Sequence, residues 1–118
     1  MTQAQVADYN DVLANLIDYA QDDWLGLEIV ASAVRKCFEG LPSYVDVRPL
    51  AIRAVRDLID AGAQAGDLTE EGFRPWPVGQ QEMIGRITRG LEERTTWPDP
   101  DELGWITFPE MEQSDGDR

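Results

Sequence analysis

Asp8, Asp11, Asp18 and Asp22, with Asn15 among them, recur at steps of three, four, three and four residues. At about 100° per residue that spacing puts all five on one face of a helix. The result is a row of four carboxylates about 21 Å long, at a rise of about 1.5 Å per residue. Its chemistry is electrostatic, an attraction for cations along a line, and no Lys or Arg occurs in residues 1–34 to satisfy it. Like charges at such spacings cost a helix a few tenths of a kcal/mol per pair, so packing on the opposite face has to outweigh them. A solvated face is the commoner reason for an acidic stripe. The missing bases are what raise a binding surface above its usual standing here.

A second acidic group, Asp99, Asp101 and Glu102, lies in a proline-punctuated loop directly after Trp97. Aromatic side chains in loops often anchor interfaces, although Trp76 and Trp97 in such loops more commonly roof the core; if one is exposed it is expected to be Trp97, completing a patch with the acids beside it. Acid–base work by a carboxylate pair has Glu70-Glu71 or the Asp99 cluster as its candidates, but where about one residue in five is acidic such pairs arise by chance. The Asp99 cluster also lacks the D-x-[DN]-x-[DN]-G spacing of a calcium loop. There is no histidine, hence no Ser/His or Cys/His pair, and neither phosphate-binding glycine motif occurs. The single Cys37 falls on an apolar stripe and reads as core. The expectation is a non-catalytic chain with no metal and no cofactor.

The whole chain has 118 residues, 23 Asp+Glu against 10 Lys+Arg, and a formal net charge of −13. That balance argues against nucleic acid as a direct ligand, which needs a Lys/Arg footprint, and against anionic membrane surfaces. A lone thiol and the lack of a basic leader or an apolar span point to the cytoplasm. The excess charge sits at the two ends. Residues 1–34 hold six acids and no base, residues 35–97 ten acids and nine bases, and residues 98–118 seven acids and Arg118 alone.

Apolar periodicity predicts the elements that carry these groups. Val6, Tyr9, Val12, Leu13, Leu16, Ile17, Ala20 and Trp24 form the inner face of a first helix from about Gln3 to Asp22. A second helix starts at an Asp22 or Asp23 cap and runs to Glu39, with Ile29, Val30, Ala33, Val34, Cys37 and Phe38 inward. A third starts at Pro49 and ends at Gly62, with Leu50, Ala51, Ala54, Val55, Leu58 and Ile59 inward and Arg53–Asp57 and Arg56–Asp60 paired outside. Ala63–Leu68 and Phe73–Pro77 read as extended pieces around a turn, and Pro75 and Pro77 bar the second from the middle of a sheet. A fourth helix spans about Gln80–Arg94 with Met83, Ile84, Ile87 and Leu91 inward, and Trp105–Phe108 reads as a strand with Trp105 on the core face. Residues 1–109 are expected to be one globular domain and 110–118 an acidic disordered tail.

The order implies a helix-rich α+β class of about four helices with a small two- or three-stranded sheet. Ala51 to Phe73, a helix followed by a turn and extended chain, resembles locally the recognition helix and wing of a winged-helix fold. The acids on that helix make it a winged-helix-like scaffold without DNA binding.

The run Leu58-x-Asp60-x-Gly62-x3-Gly66-Asp67-Leu68-Thr69-x2-Gly72-Phe73-x-Pro75-Trp76, followed by an Ile/Arg helix and a Trp-containing strand, resembles small acidic bacterial proteins of the immunity type, from interbacterial toxin systems. The likeness covers about residues 55–108 and rests on turn glycines and aromatics, so it carries no functional residue with it. It implies a cytosolic, non-catalytic protein that neutralises a cognate toxin. Together with the charge pattern it leads to an expected inhibitor that binds one basic toxin or nuclease-type enzyme through Asp8, Asp11, Asp18, Asp22, Trp97, Asp99, Asp101 and Glu102. The alternative is a nucleic-acid mimic or adaptor that occupies a DNA-binding protein.

Overall fold

The fold of residues 7–99 and 103–108 is described here from a computed structural model. Helix α1, Tyr9–Asp22, begins one residue after Asp8, whose extended backbone and side chain make it the N-cap, accepting the N–H of Asn10. The helix therefore starts at Tyr9, not near Gln3. Its buried side is Val12, Leu16 and Ala20, the stripe read from the periodicity.

Asp22 and Asp23 do not cap the next helix. Asp23 closes α1, donating its N–H to Tyr19, and a two-residue strand β1, Leu25–Gly26, follows. Helix α2 then spans Leu27–Arg35 with Gly26 as its N-cap. Two residues are too few for any period to reveal, and the wholly buried Leu25 is what commits that stretch to the sheet. The inner face of α2 is Leu27, Val30, Ala31 and Val34, while Ile29, Ala33, Cys37 and Phe38 pack at its margin.

Helix α3 spans Tyr44–Asp60, five residues longer at its start than Pro49 suggested. A reciprocal box begins it, in which the Ser43 hydroxyl accepts the Asp46 N–H and the Asp46 carboxylate accepts the Ser43 N–H. Such a cap contributes about 1 kcal/mol. Pro49 is accommodated inside because it stands on the solvent side, near the exposed Val45 whose carbonyl loses its helical donor. The buried face is Tyr44, Val47, Ala51, Ala54, Val55, Leu58 and Ile59.

Strands β2, Gln64–Thr69, and β3, Gly72–Pro75, form the hairpin expected from the turn residues, with Gly72 at φ +112°. Helix α4, Gln80–Glu92, buries Met83, Ile84, Ile87 and Leu91, as the periodicity required. Helices α3 and α4 close each other's C-terminal ends. Gln80 Nε2 donates to the Ile59 carbonyl, and the buried Tyr44 hydroxyl donates to the Leu91 carbonyl at 2.7 Å. Arg48 adds bonds to the carbonyls of Glu92 and Arg94, a cation placed where the helix dipole favours one.

Strand β4, Trp105–Thr107, enters between β1 and β2, giving an antiparallel four-stranded sheet in the order β1-β4-β2-β3. The class is thus helix-rich α+β with four helices, and its sheet has one strand more than the upper end of the sequence expectation, the extra one being β1. Strand β3 lies at an edge, where Pro75 costs no ladder bond. Trp105 itself is half-buried, and Ile106 is the β4 residue sunk in the core. Among the described residues no helix is long and apolar enough to cross a membrane.

Candidate functional site, the acidic face of α1

Asp11, Asp18 and Asp22 are exposed along the outer face of α1, and Asp8 is exposed at its head as the cap. The row predicted from the spacing exists as a continuous line of carboxylates, and among the described residues none of the four forms an ion pair. A basic residue stands near the row at the C-cap of α2. Lys36 shares with Asp11 and Asn15 a hollow of about 120 Å³ between the two helices.

What holds this face in place is a contact from α1 to α3. The Tyr9 hydroxyl donates to Asp57 at 2.7 Å, the Arg53 guanidinium lies 4.3 Å from the centre of the Tyr9 ring, and Arg53 Nε stands 3.7 Å from Asp57. The expected Arg53–Asp57 pair is therefore real and also pins the N-terminal turn of α1. Arg56 makes no ion pair among the described residues, so the second expected pair, with Asp60, is not formed.

Burial, and then the bond to Asp57, push the Tyr9 phenol well above the usual tyrosine range. A proton held more tightly in the folded chain than in the unfolded one stabilises the fold fully below the ordinary tyrosine pKa, and that stability is lost as pH rises through the folded value. Urea midpoints measured from pH 8 to pH 11.5 are therefore expected to fall more steeply for the parent than for Tyr9→Phe. Parallel curves for the two would rule the linkage out.

Trp97 requires a correction. It is half-buried, packed edge-on to Tyr44 with ring centroids 5.6 Å apart, and its carbonyl accepts a bond from Arg94. It roofs the α3–α4 junction and is no exposed anchor. The reason is the early start of α3, which places Tyr44 directly under the loop. Asp99 is exposed, while Asp101 and Glu102 lie outside the described residues. The loop and the head of α1 flank the same end of α2, where Lys36 accepts the Ala7 N–H and Arg35 stands 5.9 Å from the Trp97 ring.

The exposed tryptophan is Trp24, 38% accessible, and Tyr19, five residues earlier, is 39% accessible. Trp24 was expected on the core face, but α1 ends before it and β1 begins after it, so it sits on a corner. Trp76 packs on the core with Arg86 4.3 Å over its ring. Cys37, expected in the core, is half-buried at its margin, and burial raises its thiol pKa, the opposite of activation.

One concavity was not foreseen. It is an open cleft of about 400 Å³ lined by Asp67, Trp76, Arg86, Arg89, Gly90, Glu93, Leu103 and Gly104, none of them on α1. Its two arginines and two acids balance, and they come from β2 and from α4 with its C-cap, which is why no motif announced it. Among the described residues no three metal-binding side chains cluster.

Comparison with family models, with curated proteins and with solved structures finds no match to this chain. The functional reading stands on the geometry alone.

Proposed function

We propose that this chain is a non-catalytic immunity or inhibitor protein that binds one cognate basic enzyme, a toxin of the nuclease kind, and covers its cationic cleft. The observation that carries the reading is the row of exposed aspartates on α1, its first turn pinned to α3 through Tyr9, facing no cation of its own along most of its length. A site built for phosphates attracts ordered carboxylates, and opposite fields speed the encounter. The linear order of the row also favours a second reading, a nucleic-acid mimic that occupies a DNA-binding protein.

Tagged protein recovered from its own cells at low and at high salt tests both. One basic enzyme retained at low salt, released as ionic strength rises and inhibited by the purified chain is the expected result. A DNA-binding partner displaced by duplex DNA would establish the mimic instead. A partner that stays bound regardless of salt would overturn an electrostatic interface.

A further inference from the structure

The cleft between β2 and α4 has walls that are closely fitted. Gly104, at φ +110°, lies against the Trp76 indole, and a Cβ there would stand 2.9 Å from the indole Cζ2. Gly90, inside α4, meets Leu103 in the same way, since its Cβ would stand 2.9 Å from the Leu103 Cδ2. A glycine in a helix interior is less favourable than alanine, and here it makes the notch that seats Leu103. The backbone of Trp76 is fixed on both sides, its N–H donating to the Ala65 carbonyl and its own carbonyl accepting the Val78 N–H. The indole in turn carries the Arg86 guanidinium, 4.3 Å from the ring centre, so this arginine is held in place without a carboxylate.

The four charged side chains around the space are not paired with one another. Arg89 and Glu93, the C-cap of α4, are four residues apart, a spacing that favours a salt bridge, yet among the described residues no ion pair joins them. Asp67 stands opposite Arg74 in the hairpin register, but Arg74 pairs with Glu71 instead. Arg86, Arg89, Asp67 and Glu93 are all exposed and all line the one cleft, so a single ligand can reach them.

An anion alone would meet the two carboxylates, and a cation alone the two guanidiniums. A molecule bearing both signs satisfies the set, with its carboxylate on the arginines, whose planar heads can bind that group through two bonds, and its ammonium on the acids. Length selects among such molecules. Four residues of helix place Arg89 and Glu93 about 6 Å apart along α4, and an extended dipeptide, up to about 7 Å for two residues, covers that distance from end to end. A space of about 400 Å³ is also in the range of small-molecule sites.

We infer that this cleft is a second site, separate from the acidic face, and takes a zwitterionic dipeptide. Arg86 and Arg89 hold its carboxylate, Glu93 and Asp67 hold its ammonium, and Leu103 gives its side chains an apolar wall. None of these residues lies on α1, so the inference does not depend on the reading of that face.

Alanyl-leucine is the probe, titrated into isotope-labelled full-length chain while the Trp76 indole N–H and the α4 amides are followed by NMR. It is expected to shift both and to saturate below about 10 mM, and its N-acetyl and C-amide forms, each lacking one charge, to bind about tenfold more weakly. Arg89→Gln should cost the same factor with an unchanged thermal midpoint, because the side chain is exposed. Asp67→Asn should weaken alanyl-leucine but not the N-acetyl form, which has no ammonium to lose. Capped forms that bind as tightly as the free dipeptide, or an affinity unmoved by Arg89→Gln, would overturn the charge assignment. Tighter binding of free leucine or of inorganic phosphate would overturn the dipeptide, and shifts confined to α1, or no response at all, would overturn the site.

Discussion

Gly66→Ala is expected to lower the thermal unfolding midpoint by about 12 °C. Gly66 is the residue of β2 paired on both sides, with Pro75 of β3 and with Trp105 of β4. A methyl group there would collide with the Arg74 carbonyl and lie 2.7 Å from the Pro75 Cα. These are backbone atoms, and no rotamer change moves them aside. Overpacking of this kind costs about 3 kcal/mol, and for a chain of this size each kcal/mol shifts the midpoint by about 4 °C. Gly85→Ala is the control with opposite sign. Its added carbon would meet only Arg89 Nη1 at an ordinary 3.5 Å, inside a helix where alanine is favoured over glycine by up to about 1 kcal/mol. Melting curves followed by circular dichroism decide the matter, and an unchanged midpoint for Gly66→Ala would remove the packing argument.

The second large effect concerns binding. Changing both Asp11 and Asp18 to Lys is expected to slow association with the cognate partner by about 10- to 100-fold at low salt. Both side chains are exposed and neither is in an ion pair, so the fold should be unaffected or slightly improved as like-charge repulsion along α1 is relieved. The difference should shrink at high ionic strength, where charges separated by more than a few ångströms are screened. Stopped-flow association at two salt concentrations reads it directly. An association rate unchanged by the double substitution would reduce the stripe to a solvated surface.

Long periodic segments were legible in the sequence and short ones were not. Val12, Leu16 and Ala20 on α1 and Met83, Ile84, Ile87 and Leu91 on α4 are buried as their spacing required, because a helix of four turns leaves a repeating record of which side is dry. Strand β1 leaves no such record, being two residues whose state is decided by Ile106 and Trp105 some eighty positions away. Pro49 misplaced the start of α3 because proline is commonest in a first turn, while the Ser43–Asp46 box that begins the helix was passed over. The same error concealed Tyr44, and with it the reason that Trp97 is a packing residue. On the candidate site, the carboxylates of α1 could be placed from spacing alone. The exposure of Trp24 could not, because it follows from where one element stops and another starts.

The strand that enters the middle of the sheet follows its three partners in sequence. Ala20, on the first helix, has its carbonyl bound by the Thr107 hydroxyl, 87 residues later in the chain, and by the Phe108 N–H. Strand β4 must also thread between β1 and β2 before either gains that partner. On a ribosome the β2–β3 hairpin and α3 can associate early, because their contacts are near in sequence. The corner bearing Trp24 waits for Trp105 to emerge. The acidic face is therefore coupled to synthesis of β4, and a nascent protein halted before it carries the aspartates of α1 without the sheet that fixes the corner at Trp24.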